Sequence, residues 1–371
     1  MLRKILALFA IIISISLNIN AQELKLLDAD DAIPAATRMN LYHGRLKNKA
    51  VGVVANQSSI MDNGTHLVDT LLSKGINIVK IFTPEHGFRG TAEAGEHIAS
   101  GIDEKTGIAI VSLYGKNKKP TAEQLQDVDI LLVDLQDVGC RFYTYISTMT
   151  YAMEAAAENE IPVIVLDRPN PNGFYVDGPV LEPENRSFVG MHCVPIVYGL
   201  TIGEYALMVN GEQWLADGIQ CELMVIPLGN YDRNAIYKLP VKPSPNLPNW
   251  EAVYLYPSLC LFEGTDVGVG RGTELPFQIY TLPQTNDTVN LVDYAHNYRD
   301  NEQKLNLSWI LDARKSLKDD EKFFNKYFIK LVGVSDLQQK IDSGLTEDEI
   351  RSSWQTGIDS YLKIREKYLI Y

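Results

Sequence analysis

Residues 128–167 read VDILLVDLQDVGCRFYTYISTMTYAMEAAAENEIPVIVLD. Two apolar runs, VDILLVDL and IPVIVLD, carry Val, Ile and Leu without polar alternation, the signature of strands buried on both faces. Between them YISTMTYAMEAAAENE holds neither Gly nor Pro and is rich in Ala and Met, which predicts a helix. Strand, helix, strand in this order is a parallel crossover. Upstream the same alternation is written in AVGVVA (50–55), HLVDTLLSKG (66–75), INIVKIF (76–82), IAIVSLY (108–114) and TAEQLQD (121–127). The pattern predicts an α/β fold, a Rossmann-like doubly wound parallel sheet over residues 22–178. After Gly178 the alternation fades and Pro becomes frequent, in GPVLEPENRSFVG, CVPIVYG and PVKPSPNLPNW, so a second, smaller and less regular α/β domain is expected over 179–371. It contains a helix opening at Thr201, with Glu204 at capping-box spacing, a strand CELMVIPL, and terminal helices capped at Ser335 and Thr346.

Arg3 and Lys4 precede the apolar run ILALFAIIISISL and the small-residue ending NINA, the layout of a secretory signal peptide over residues 1–21. Export to the periplasm or the medium is expected, with no stable membrane anchor after cleavage. The formal charge of −13 over 371 residues becomes −15 when Arg3 and Lys4 leave with that leader. Such an acidic chain argues against nucleic acid as a partner, because neutralising phosphates takes concentrated Lys and Arg. Cys140, Cys193, Cys221 and Cys260 lie far apart, lack zinc-site spacing and are expected as buried free thiols.

In a doubly wound sheet, ligands collect outside the carboxyl ends of the strands. Each predicted strand is followed there by polar or turn-forming sequence: NQSS, TPEHGFRG, LYGK, QDVGCRFYTY and RPNPNG. TPEHGFRG places Glu85, His86 and Arg89 at a strand end; a tight turn closing at Gly87 would bring both Glu85 and His86 to one cleft, while the bland reading makes Glu85 a surface acid and His86 a core or capping residue. The loop running on to about Gly107 is long enough to be functional, although Arg89, Glu93 and Glu96 also fit a charge network that merely orders it. DLQDVGCRFYTY supplies Asp134, Gln136, Asp137, Arg141, Tyr143 and Tyr145, the mixture a sugar site needs: carboxylates and amides for hydroxyls, arginine for an acid substituent, and aromatic faces. The bland alternative is an Asp137–Arg141 pair at a helix start. DRPNPNG adds Asp167, Arg168, Asn170 and Asn172 on a proline-stiffened loop that also reads as a plain rigid turn. FEGTDVGVGRGTELPF carries Glu263, Asp266, Arg271 and Glu274. Its GVGRG core lacks the strand and helix context of a dinucleotide fingerprint and fits instead a close backbone approach to a ligand, or a structural turn.

These segments resemble the exo-β-N-acetylmuramidases of the NamZ type, long catalogued as a domain of unknown function (DUF1343). The resemblance is carried by TPEHGFRG, TGIAIVSLYG, LLVDLQDVGCRFYTYISTM, DRPNPNG with VDGPVL, CVPIVYGLTIGEYA, SPNLP and YPSLCLFEGTDVGVGRGTELPF, in family order over roughly residues 40–280. It implies a Rossmann-like domain joined to a smaller α/β domain with the site in the cleft between them. It also implies release of N-acetylmuramic acid from the non-reducing ends of peptidoglycan-derived disaccharides or muropeptides, without metal, nucleotide or other cofactor. One departure stands out: after PFQIYTLPQ the family continues through further strands, whereas here TNDTVNLVDYAHNYRDNEQKL follows almost at once.

Glycoside hydrolysis commonly takes a protonated acid at the leaving oxygen and a second group across the sugar ring. For that chemistry Glu85 is expected as the general acid, with His86 positioning or sharing its proton. Glu263 and Asp134 are both candidates for the second carboxylate. Arg89, Arg141, Arg168 and Arg271 compete for the lactyl carboxylate, Tyr143 and Tyr145 pack on the ring, and Gln136, Asp137, Asp167, Asn170 and Asn246 are expected to bind hydroxyls. The alternative from another class is a non-catalytic muropeptide- or sugar-binding protein of the same fold.

Overall fold

The structure, a computed structural model, describes residues 26–27, 32–89, 100–282, 284–297, 303–317 and 322–371. The expected leader, Glu93 and Glu96 lie outside the described residues. The central sheet has seven strands: β1 (Val51–Ala55), β2 (Ile78–Thr83), β3 (Gly101–Ile102), β4 (Ala109–Ser112), β5 (Ile130–Asp134), β6 (Val163–Leu166) and β7 (Leu223–Ile226), in spatial order β3-β4-β2-β1-β5-β6-β7. Every neighbouring pair is parallel except β3 with β4, which closes one edge antiparallel. Without that edge strand the order is the Rossmann one, and the chain reverses direction of travel across the sheet between β1 and β5.

The sheet is parallel because both of its faces are covered. Ile130 and Leu132 of β5 face a layer that includes Leu67, Val68 and Leu71 of helix α1 (Leu67–Ser73). The alternate residues Leu131 and Val133 face the other layer, with Met149, Ala152 and Met153 of α2 (Tyr145–Glu158) and Tyr205, Ala206 and Val209 of α3 (Ile202–Gly211). Successive strand residues point to opposite faces, so a run with no polar alternation satisfies two cores at once.

The sheet draws β7 from beyond residue 178, the strand legible as CELMVIPL, and α3 packs against it. Thr201 and Glu204 form the expected capping box, as do Thr346 and Glu349 at the start of the long terminal helix. Ser335 is not a cap. The residue before Leu337–Asp342 is Asp336, and the Ser335 hydroxyl and amide donate to Glu182 instead. The remainder of the chain adds α4 (Trp250–Leu259), a short 3₁₀ turn at Cys260–Gly264 and a small antiparallel pair, β8 (Ile279–Thr281) with β9 (Thr288–Asn290). Tyr256, Phe262, Phe277 and Phe328 belong to the same buried cluster as Val133 and Val165, so the second part shares a core with the sheet rather than hanging from a linker. The four cysteines are free; Cys193 is half-buried and the others buried. Among the described residues no helix is long and apolar enough to cross a membrane.

Candidate active site

β2 ends at Thr83, and the chain turns at once: the Gly87 N–H donates to the Pro84 carbonyl at 3.2 Å. His86 takes φ +74° and Gly87 φ +77°. A left-handed conformation is ordinary for glycine but costs a residue with a side chain on the order of 1 kcal/mol. Strain of this kind persists where packing imposes it, often at functional sites. Its effect here is geometric, because Glu85 and His86, which would point apart on an extended strand, both border one cleft.

Tyr143 and Tyr145, after β5, form a second wall. Their rings meet edge to face at 4.7 Å, and the Tyr143 hydroxyl donates to the Pro243 carbonyl at 2.8 Å. The Tyr145 hydroxyl reaches the Glu85 carbonyl at 3.4 Å, linking the two strand-end loops. Burial, foremost, holds both phenols above their ordinary range. The third wall comes from the second half of the chain: Ser244 and Asn246, then Glu263 on the 3₁₀ turn and Arg271 beyond it. Arg271 Nε donates to Glu263 Oε1 at 2.5 Å, and its guanidinium carbon lies 4.9 Å from the centre of the Phe277 ring. The Cys260 thiol sits 3.5 Å from Glu263 Oε2, so both oxygens of this carboxylate have neighbours that fix its direction. Phe142, Tyr256, Phe277 and Tyr327 complete a polar-mouthed, ring-lined cleft of about 130 Å³, and an adjoining hollow of about 320 Å³ shares Glu263 and Arg271.

Of the residues singled out in the sequence, the structure thus brings together Glu85, His86, Tyr143, Tyr145, Asn246, Glu263 and Arg271. It places the others elsewhere, each with a physical reason. Asp134 is fully buried and accepts from Arg168 Nε at 2.6 Å and Nη2 at 2.8 Å, so the two cancel each other at the carboxyl end of the sheet and neither lines the cleft. Arg141 is 0% exposed, and its guanidinium donates to the carbonyls of Pro179, Val194, Leu331 and Val332 at 2.6–3.0 Å; burial pulls it down to about 10. It serves as an internal staple, with no donor left over for a substrate acid through those terminal nitrogens.

Arg89 is bound to Asp103 at 2.8 Å and stacks on Phe88, outside the cleft. Gln136 donates to the carbonyls of Asp137 and Pro169, and Asn170 to that of Leu200. Asp137 accepts a short hydrogen bond from the Tyr198 hydroxyl and another from the Gly139 N–H; burial pushes its carboxyl up to about 7 against both. The helix-start pairing of Asp137 with Arg141 is therefore replaced by these separate partners. Asp167 accepts from Thr201, Tyr371 and the Gly203 N–H at the start of α3, and is likewise pushed up to about 7 by burial. Asn172 donates to the Val138 and Val253 carbonyls. Asp266 and Glu274 are exposed and border neither hollow. In GVGRG, Gly270 has φ +71° and a Cβ there would meet the Leu275 carbonyl at 2.5 Å, so the close approach is to the chain itself.

Sequence reasoning missed Phe142, Tyr256, Phe277 and Tyr327. The first three carry no signal beyond aromaticity, which reads equally as core. Tyr327 sits in FFNKYF, a stretch with no motif of its own.

The description Exo-beta-N-acetylmuramidase NamZ, N-terminal, matches residues 51–251, and its C-terminal counterpart matches 254–305 and 295–371. The chain belongs to the NamZ exo-β-N-acetylmuramidase family. It is 39% identical to the peptidoglycan β-N-acetylmuramidase NamZ of Bacillus subtilis (strain 168), with 89% of each chain covered. Two crystal structures of DUF1343 family proteins from Bacteroides fragilis NCTC 9343 have the same fold. One has TM-score 0.82 at 41% identity, the other TM-score 0.77 at 28% identity, and each comparison covers 92% of this chain and 99% of the other. The two parts of the NamZ C-terminal match meet at residues 295–305, shortly after the point where the sequence departs from the family pattern.

Proposed function

We propose that this glycosidase of the NamZ family removes N-acetylmuramic acid from the non-reducing end of peptidoglycan fragments, with Glu85 and Glu263 as its two working acids. The observation that carries the reading is the meeting of Glu85, His86, Glu263 and Arg271 in one cleft, although they come from opposite halves of the chain. Glu85 is the general acid: it gives its proton to the glycosidic oxygen as the bond to the anomeric carbon breaks. Glu263 meets the positive charge that develops at that carbon, and the water consumed supplies the new hydroxyl. Of the two carboxylates left open by the sequence, Glu263 is favoured because Asp134 is sealed in its pair with Arg168. His86, fixed in its strained turn, holds the geometry around Glu85. Arg271 is the cation for the lactyl carboxylate: Glu263 takes its Nε, and among the described residues its terminal nitrogens make no hydrogen bond.

The test is Glu85→Gln, assayed on a chromogenic N-acetylmuramide after its fold is verified by melting. A loss of roughly 10²–10⁴-fold in kcat is expected for removal of a general acid. Turnover at the wild-type rate removes Glu85 from the chemistry, and tight binding of muramic acid without product by the wild-type protein replaces the hydrolase with a binding protein.

A further inference from the structure

Tyr327 stands out among the groups bordering the cleft. It comes from the C-terminal third of the chain, just before the short helix Phe328–Val332, and is 41% exposed. Its place is set by the turn that carries Glu263. The Asn325 side-chain amide donates to the Glu263 carbonyl at 3.1 Å and the Thr265 carbonyl at 3.4 Å, and the Asn325 N–H donates to the Gly264 carbonyl at 2.9 Å. Asn325 Oδ1 in turn accepts the Tyr327 N–H at 2.8 Å. Gly264 packs so tightly on the next residue that a Cβ there would meet Phe328 Cα at 2.5 Å. Glu263 and Tyr327 are thus held as one rigid unit.

Among the described residues the Tyr327 hydroxyl has no hydrogen-bond partner, although it borders the same cleft as Glu85 and Glu263. Burial first, then the acidic groups of Cys260, Glu263 and Glu85, raise the phenol above its ordinary range and outweigh Arg271. The hydroxyl therefore stays protonated over any working pH. It is a neutral donor standing beside two acids, where a second arginine would neutralise the charge the chemistry uses.

Building on the muramidase reading, we propose that Tyr327 is a further catalytic residue, whose hydroxyl donates a hydrogen bond to an oxygen at the reacting end of the bound muramic acid unit. The bond strengthens as that end of the sugar reorganises in the transition state, so its loss is felt in the rate more than in binding.

Tyr327→Phe keeps the ring and its packing and removes only the donor. With a chromogenic N-acetylmuramide, kcat is expected to fall roughly 10–100-fold with KM nearly constant, while the melting temperature stays within about 2 °C of wild type. An unchanged kcat, or a rise in KM alone, overturns the proposal and leaves the muramidase reading intact, since wild-type turnover is recorded in the same assay. Should the wild-type protein release no product, that reading fails separately. The proposal then falls with it, because a contact that acts on the rate has no rate to act on.

Discussion

Replacing Arg271 by Met separates recognition of the substrate's acid group from the rest of the site. Methionine keeps an unbranched side chain against Phe277 and removes the charge and all donors. In the wild-type cleft one guanidinium nitrogen is held by Glu263 at 2.5 Å, which leaves the outer edge of the fork to face a ligand. A charge-assisted hydrogen bond contributes roughly 1.5–3 kcal/mol. The Arg271 side chain is 40% exposed, so solvent screening argues for the lower part of that range, about 1.5–2 kcal/mol, or about 10–30-fold in affinity. The assay is calorimetric titration with N-acetylmuramic acid and with its methyl ester, which is larger by one methyl group and carries no charge. Wild-type protein is expected to prefer the free acid by that factor. The Arg271→Met protein is expected to bind the acid no better than the ester. The Glu263 carboxylate freed by the substitution repels only the charged ligand, which moves the variant's ratio further toward the ester and never toward the acid. A variant that still prefers the acid refutes the assignment of Arg271 to the lactyl group.

Two further outcomes concern the frame. Arg141→Met strips the donor from four carbonyls, each left buried at a cost of about 1–3 kcal/mol. A loss above about 4 kcal/mol in urea unfolding is expected, a large part of a typical domain's stability, and a loss below about 1 kcal/mol contradicts the staple. Asp137, pushed up to about 7 by burial, keeps a proton in the folded chain that the unfolded chain releases near the ordinary aspartate value of 3.8. Its contribution to stability is full below that lower value and is lost as pH rises through about 7, so Asp137→Asn should shrink the fall in urea midpoint between pH 5 and pH 7.5. An unchanged or larger fall counts against a buried, protonated Asp137.

The sheet was readable because strands covered on both faces need apolar residues at every position, and VDILLVDL and IPVIVLD supply them. Glu85 and His86 were readable because Gly87 licenses a turn at a strand end. The arginines were not. Arg141, Arg168 and Arg271 look alike in a string of letters, and what separates them is which partner lies within 3 Å: four carbonyls, Asp134, or Glu263 and open space. Asp134 and Asp167 illustrate the same limit, since a carboxylate at a strand end reads as functional whether it faces solvent or a neighbour inside the fold. Tyr327 was invisible because its relation to the cleft depends on Asn325 tying it to Glu263 across about sixty positions.

At the reversal point between β1 and β5, where this architecture elsewhere opens a crevice for a ligand, the Asp134–Arg168 pair and the Ser58 and Ser59 hydroxyls knit the two strand ends together. The central notch is filled by the protein's own polar groups, and the candidate cleft is displaced to the rim, where connections from both halves meet. Frame and cleft are thereby decoupled: rim residues such as Asn246 and Arg271 can be exchanged without disturbing the Asp134–Arg168 pair at the carboxyl ends of the strands.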